Sequence, residues 1–275
     1  MAVQSRDQSA FLLDLVIRNG RFALQPLVEF NRAEPITGLF TSGNILEGTF
    51  ELNYLDQDQR QAPRISVKWR QEQTTGDLSN RGLFPIIREV TVRESSTQAL
   101  APLDQLDLSD FCTSQQHAID RAKFECRFRR LSTHQIKFTT TADQASLGLG
   151  KCFRLGMETL VYDQPRNGYI AEDGTITSWP ELADGSYVVV SWNGTAYTET
   201  QINVSAGKSN NARGSVFCVA DNVFYTQTYK VQSLSFNEEG NIEVEAIHWP
   251  TNEQGYSQLA ADWDDASNWV IEGEI

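Results

Sequence analysis

A tryptophan among carboxylates stands close to the C-terminus. Residues 262–265 read Asp-Trp-Asp-Asp, and Trp249, Tyr256 and Trp269 lie nearby in the sequence. An aromatic ring beside acids is typical of sugar-binding clefts and of glycosidases, but a glycosidase needs two acids about 5–9.5 Å apart. Adjacent residues in one segment do not establish such a pair. The aromatic residues can equally be anchors that pack onto another protein surface, so both interpretations stay open.

Other chemical motifs are incomplete. Residues 148–152 (GLGKC) suggest a phosphate-binding loop, but the G-x-x-x-x-G-K-[S/T] spacing fails and Cys152 replaces the hydroxyl that would bind Mg²⁺. His134 and His248 are far from each other in the sequence, and His117 with Asp120 is a lone pair one helical turn apart. Such a pair is more typical of a surface contact than of a catalytic set. We therefore predict no catalytic residue and no cofactor.

The four cysteines argue against a zinc site. Cys112, Cys126, Cys152 and Cys218 form no C-x-x-C pair and have no histidine at ligand spacing. No secretion signal is visible, so we expect four reduced and mostly buried thiols in a protein made in a cytoplasm.

Acidic charge is concentrated in the C-terminal part of the chain. The 275 residues carry a net charge of −13. Residues 1–170 have 20 basic and 20 acidic side chains, whereas residues 171–275 have 3 basic and 16 acidic ones. A surface of this sign repels nucleic acid, so sequence-specific nucleic acid binding is not expected. No stretch approaches the roughly 20 apolar residues of a membrane span, and none is predicted.

Alternating apolar residues predict a mainly β fold of the α+β type, with barrel or sandwich domains. The segments 50–54 and 65–69 are predicted to pair as a hairpin across a polar connection. A second hairpin is predicted around 237–241, whose glycine and asparagines suit a tight turn. Further predicted strands are 86–92, 136–138, 187–192, 197–204, 216–219, 223–225, 229–236 and 242–248; a loop is predicted at 71–81.

Turn signals suggest where domains meet. Asn-Gly at 167–168, Asp-Gly at 173–174, Trp-Pro at 179–180 and Asp-Gly at 184–185 follow at short intervals. We predict two domains: residues 1–170 with the helix and its flanking strands, and residues 171–275 as an acidic all-β domain with a C-terminal tail.

One long helix is predicted at about 113–131. Thr113 and Gln116 resemble a capping box, and a run without helix breakers follows. Ala118, Ala122 and Cys126 share one face, and Phe124 with Phe128 forms another, so the helix is expected to pack against two surfaces.

Three arginines crowd the last turn of this helix: Arg127, Arg129 and Arg130. Cations are favoured there by the helix dipole. Capping and a solvated surface are the favoured interpretation, and contact with a phosphate or a protein partner is the alternative.

The central block resembles the hub proteins of bacteriophage tail tips. In the siphophage tail-tip attachment proteins a phrase like C-T-S-x-x-x-A opens a helix, a basic segment closes it, and a strand leads to a glycine-bearing turn. Here the block 106–118 (LDLSDFCTSQQHA), Ala122-Lys123, Arg129-Arg130 and 133–138 (THQIKF) carry that pattern. The turn would be 148–150, where the family often has Pro-Gly, and 229–234 with 242–246 resembles the closing hairpin of the hub.

The resemblance, which is to phages of cyanobacteria more than to others, implies a structural protein. Such a hub is a homotrimer that ends the tail tube and meets the distal tail ring, the tape measure and fibre or spike proteins. The chain is then expected at the virion tail tip, assembled in the host cytoplasm. Family hubs are usually much longer, so this chain would be a reduced or split hub, or other chains would supply the missing parts.

Candidate contact residues follow from the aromatic and basic clusters: Tyr256, Trp263, Trp269, Arg127, Arg129 and Arg130. The acidic part could line a channel through which DNA passes without adhering. Two alternatives remain: a carbohydrate-binding β module for host-surface glycans, and a tail-associated cell-wall hydrolase.

Overall fold

The computed structural model describes residues 12–18, 21–29, 32–56, 61–71, 86–141, 147–156, 166–220, 226–252 and 254–273. The fold is mainly β with one long helix, as predicted. The chain forms two compact units. Unit 1 contains residues 33–54 and 134–255, and unit 2 contains residues 2–32, 55–133 and 256–275. The domain division at residue 170 stays a prediction.

The elements follow one another along the chain. The strands are β1 (Leu13–Arg18), β2 (Arg21–Pro26), β3 (Ile36–Phe40), β4 (Glu51–Tyr54), β5 (Arg64–Arg70), β6 (Ile87–Glu94), β7 (Leu103–Asp107), β8 (His134–Thr140), β9 (Cys152–Leu155), β10 (Asn167–Ile170), β11 (Ile176–Trp179), β12 (Gly185–Trp192), β13 (Tyr197–Ser205), β14 (Lys208–Ser209), β15 (Ser215–Val219), β16 (Gln227–Phe236), β17 (Ile242–His248) and β18 (Trp269–Gly273). The helix α1 (Gln115–Leu131) lies between β7 and β8, and a short 3-10 helix covers Ala266–Asn268.

Unit 1 contains a nearly closed six-stranded barrel, ordered β3-β9-β16-β17-β8-β4. Phe40 on β3 and Phe138 on β8 belong to the first and fifth strands, yet their ring centroids are 4.9 Å apart. Phe153 on β9 lies 4.9 Å from Phe40. The sheet therefore curls around an aromatic core, and the backbone N–H of Leu46, between β3 and β4, donates to the carbonyl of Thr139 on β8.

The predicted hairpin of β16 and β17 belongs to this barrel and is confirmed. Asn237 makes the turn, because its side-chain oxygen accepts from the backbone N–H groups of Glu239 and Asn241. Gly240 has φ +81°, in the region that favours glycine.

A second six-stranded sheet of unit 1 has the order β11-β10-β15-β12-β13-β14. Its strands pair antiparallel, and Ile170, Val189, Ile202 and Phe217 form its buried core.

The turn predicted at Asn167-Gly168 is wrong, because both residues lie inside β10. The Asn167 side-chain oxygen accepts hydrogen bonds from the backbone N–H and the hydroxyl of Ser42. A Cβ on Gly168 would clash with the carbonyl oxygen of Thr177 on the neighbouring strand. This glycine permits a close approach of two backbones rather than a turn.

Unit 2 consists of the sheet β18-β6-β5-β7 with α1 packed on it. The predicted Ala118, Ala122 and Cys126 face is confirmed, since all three lie in one buried core with strand residues such as Ile65 and Val92. Unit 2 also includes β1 and β2, which form a two-stranded sheet of their own.

Two local expectations are corrected. The segments 50–54 and 65–69 are strands, as predicted, but they do not form a hairpin. The first pairs with β8 in the barrel and the second with β6 and β7. The helix is capped by Ser114 rather than Thr113, because the Ser114 hydroxyl accepts from the backbone N–H of His117. The predicted strand at 223–225 and most of the predicted loop at 71–81 lie outside the described residues.

Candidate functional site on the helix and the C-terminal segment

The helix α1 holds residues 256–273, hereafter the C-terminal segment, through two basic side chains. The Lys123 ammonium donates to the backbone carbonyl of Trp263 at 2.7 Å. It also lies 5.6 Å from the ring centroid of Trp269, and the Arg127 guanidinium lies 5.0 Å from the same ring. Cations over an indole face are attracted to the ring electrons. Trp269 is thus held by two helix residues.

Arg127 lies at the centre of this arrangement and is buried. Its Nε pairs with a carboxylate oxygen of Glu94 at 3.0 Å, and Glu94 is buried as well. Its Nη1 donates to the backbone carbonyls of Gln258 and Ala261. The solvated-surface interpretation is therefore wrong for Arg127, which joins β6, the helix and the C-terminal segment.

The other two arginines of the last turn are also paired. Arg130 shares the carboxylate of Glu94, with an Nε to oxygen distance of 2.6 Å. Arg129 pairs with Asp104 and, at 2.9 Å, with Glu125. Glu94 thus accepts two guanidinium groups, which compensates for much of the cost of burying its charge.

A cleft of about 450 Å³ opens between the start of the helix and the C-terminal segment. The amide of Gln116 donates to Asp120 at 2.9 Å, and Lys123 lies 3.7 Å from the same carboxylate. The cleft combines aromatic rings with amide, ammonium and carboxylate groups. It is lined by Gln116, Asp120, Lys123, Trp263, Asp264, Ala266, Trp269 and Ile271.

The predicted contact residues differ in their surroundings. Trp269 is only 7% exposed, and its indole N–H has no hydrogen-bond partner within the described ranges. Trp263 is half-buried, and its indole N–H donates to the carbonyl of Leu259 at 2.8 Å. Tyr256 is exposed. The structure brings Arg127, Trp263 and Trp269 together, and a role in partner contacts stays a prediction.

Trp249 does not belong to the cluster of Trp263 and Trp269, although it lies close to them in the sequence. It is fully buried in unit 1. Its indole N–H donates to the Glu34 carboxylate at 3.1 Å, and the Lys230 ammonium lies 4.5 Å from its ring centroid.

Two histidines that are distant in the sequence meet in the barrel. The rings of His134 and His248 are stacked with centroids 4.6 Å apart, and Nε2 of His134 lies 2.7 Å from the hydroxyl of Tyr229. Burial and the neighbouring His248 lower the pKa of His134 to about 4. Neither the spacing nor the type of these residues signals the contact, because it depends on the pairing of β8, β17 and β16.

The four cysteines are buried and form no disulfide within the described residues. Burial, with the nearby Glu94, raises the pKa of Cys126 to about 12. Within the described ranges, no group of three or more His, Cys, Asp or Glu residues could hold a metal ion. The part of the chain that the structure covers contains no helix long and apolar enough to span a membrane.

Comparisons with known proteins identify no family. No family model and no curated protein matches the sequence. Among solved structures, the chain is similar to one from the virion of a native gene transfer agent (GTA) particle, with a TM-score of 0.48 and 12% sequence identity. The match covers 89% of this chain and 38% of that chain.

Proposed function

We propose that the chain is a structural subunit of a phage-like tail tip, where it closes the tail tube. The observation that supports an assembling subunit is the two-stranded sheet of β1 and β2, hereafter the arm, which carries an exposed apolar face. The identification with a tail rests on the sequence resemblance of 106–138 and of 229–246 to tail-tip hubs.

The register of the arm places Leu15, Phe22 and Leu24 on one face, opposite to the face that carries Val16 and Ala23. Leu13 lies opposite Pro26 and Leu15 lies opposite Leu24. Cross-strand partners share a face, and Phe22 has the same parity as Leu24 along β2. Leu15, Leu24 and Phe22 are 42%, 65% and 75% exposed, respectively. The arm therefore presents a patch of neighbouring apolar side chains to solvent.

Exposing such a patch to water is unfavourable in free energy unless another surface covers it. A two-stranded sheet alone is marginally stable in water. The three side chains expose on the order of 300 Å² of apolar surface, which lies in the range of patches that are often functional. Covering that area would stabilise an assembly by at most about 7.5 kcal/mol per arm at 25 cal/mol per Å². The patch has no charge, which suits an apolar partner surface.

The proposed occupant is a second copy of the chain, in a homotrimer. The resemblance to tail hubs supports three-fold symmetry, together with the distal tail ring, the tape measure and fibre or spike proteins as further partners. The role is structural and not enzymatic. The site of action would be the virion tail tip, after assembly in the host cytoplasm.

The acidic surface of residues 171–275, apart from the cleft that Asp264 lines, is proposed to face the channel of this trimer. The net charge of −13 on residues 171–275 would repel DNA and prevent it from adhering to the wall during ejection. A density map of the assembled tail tests this directly. Acidic residues on the outer rim, away from the channel axis, would contradict it.

The mass of the purified chain in solution tests the role of the arm. We expect light scattering to give a mass of about 93 kDa, three times the 30.9 kDa of the chain. The double variant Phe22→Ser/Leu24→Ser should be a monomer. Leu100→Ser is the matched control, because Leu100 is 93% exposed and lies outside the arm; this variant should keep the trimer. A wild-type monomer at every concentration, or a trimer that survives the double variant, would overturn the proposal.

A further inference from the structure

The cleft of unit 2 has a fixed aromatic wall. The indole N–H of Trp263 donates to Leu259, and its backbone carbonyl accepts from Lys123. One side of the residue packs against the core of unit 2, and the residue also lines the cleft. The ring is therefore held in place before any ligand arrives, which lowers the entropic cost of binding.

Polar groups surround this wall. Gln116 and Asp120 come from the first turns of α1, and exposed Asp264 follows Trp263 directly. The amide of Gln116 offers donors and an acceptor, and the two carboxylates offer acceptors only. Such groups can bind several hydroxyls, while the aromatic wall suits a surface of C–H groups.

The charge of the cleft restricts the ligand further. Two carboxylates and one ammonium line it, and the ammonium already contacts Asp120 and the carbonyl of Trp263. The balance is negative, so phosphate, sulfate and uronic acid groups are disfavoured.

We propose that this cleft binds one pyranose unit of a neutral polysaccharide. A pyranose has an apolar C–H face that stacks on an indole and a rim of hydroxyls that donate to carboxylates. Trp263 supplies the stacking surface, and Asp264 and Asp120 accept hydrogen bonds from the hydroxyls. The amide of Gln116 forms a hydrogen bond with a hydroxyl at the edge of the sugar ring.

This proposal does not rest on the proposed function. A trimer could assemble through the arm without binding glycans, and a monomer could bind them.

A glycan array probed with the labelled full chain provides the test, and fluorescence titration with the best neutral oligosaccharide on the array gives its affinity. We expect binding to neutral glycans, with affinity at least tenfold lower in Trp263→Ala and in Asp264→Ala. Asp264 is exposed, so its variant should keep the wild-type melting temperature even if removal of Trp263 weakens the fold.

Trp179→Ala is the matched control, because Trp179 is a 67% exposed tryptophan on β11, outside the cleft. It should bind as the wild type does. Absence of binding to every neutral glycan, binding restricted to anionic glycans, or unchanged binding by Asp264→Ala would each overturn the proposal.

Discussion

Lowering the pH from 7 to 4.5 should destabilise unit 1 through the buried imidazole of His134. The pKa of this group is lowered from 6.5 to about 4, first by burial and then by the stacked His248. Well above pH 6.5 the imidazole is neutral in both the folded and the unfolded chain, so its protonation contributes nothing to the stability. As the pH falls from 6.5 towards 4, the unfolded chain binds a proton that the folded chain excludes, and folding loses free energy.

The magnitude follows from the size of the shift. One pKa unit corresponds to about 1.4 kcal/mol, so the loss at pH 4.5 is about 2.5 kcal/mol and approaches about 3.5 kcal/mol at lower pH. His134→Gln removes the titrating group. The stability difference between pH 7 and pH 4.5 should therefore be about 2.5 kcal/mol smaller in the variant than in the wild type.

Urea unfolding at the two pH values measures this difference, and NMR titration of the imidazole protons gives the pKa itself. Carboxylates also titrate in this range, but they are common to both proteins and cancel in the comparison. His117→Gln on the helix is the control and should leave the pH dependence attributed to His134 intact. An NMR midpoint for His134 near 6.5, or equal pH dependence in wild type and His134→Gln, would contradict the lowered pKa of this imidazole.

Three other substitutions test the packing. Glu94→Ala leaves buried Arg127 without its carboxylate and should cost about 3–5 kcal/mol in urea unfolding; a cost below about 1 kcal/mol would show that the pair does not stabilise unit 2. Gly168→Ala pushes a Cβ into the carbonyl of Thr177 and should cost at least about 2 kcal/mol by the same assay; wild-type stability would argue against the close strand approach. Phe153→Ala opens a cavity in the aromatic barrel core and should cost about 3–5 kcal/mol in thermal unfolding; an unchanged melting temperature would contradict the burial of this ring.

Local patterns were sufficient to predict most elements. Alternation at 65–69 and 242–248 predicts strands because one face of each is buried, and the capped run near Ser114 predicts the helix. The turn at Asn237 was also predictable, since its side chain and Gly240 form the turn with local hydrogen bonds alone.

Pairing between distant segments was not predictable from these patterns. Alternation at 50–54 indicates a strand but does not indicate which strand pairs with it, so the barrel partner β8 was missed. Asn167 and Gly168 have the composition of a turn, but their contacts with Ser42 and Thr177 hold them in a strand.

In the candidate site too, contacts between distant segments were not predictable from the sequence. The sequence drew attention to Trp263, Trp269 and Arg127, and the structure brings these three together. The sequence did not indicate that Arg127 is buried, because its partner Glu94 lies on β6, far from the helix in the sequence. The contribution of Gln116 and Asp120 to the cleft depends on how the C-terminal segment returns to the helix.

Immunogold labelling of intact virus-like particles with an antibody to this chain tests the central claim most directly. We expect label at one end of the particle, on the tip of the tail, and a trimer of the chain in the dissociated tail. Label on the head or along the tail tube, or particles without the chain, would contradict the assignment to a tail tip.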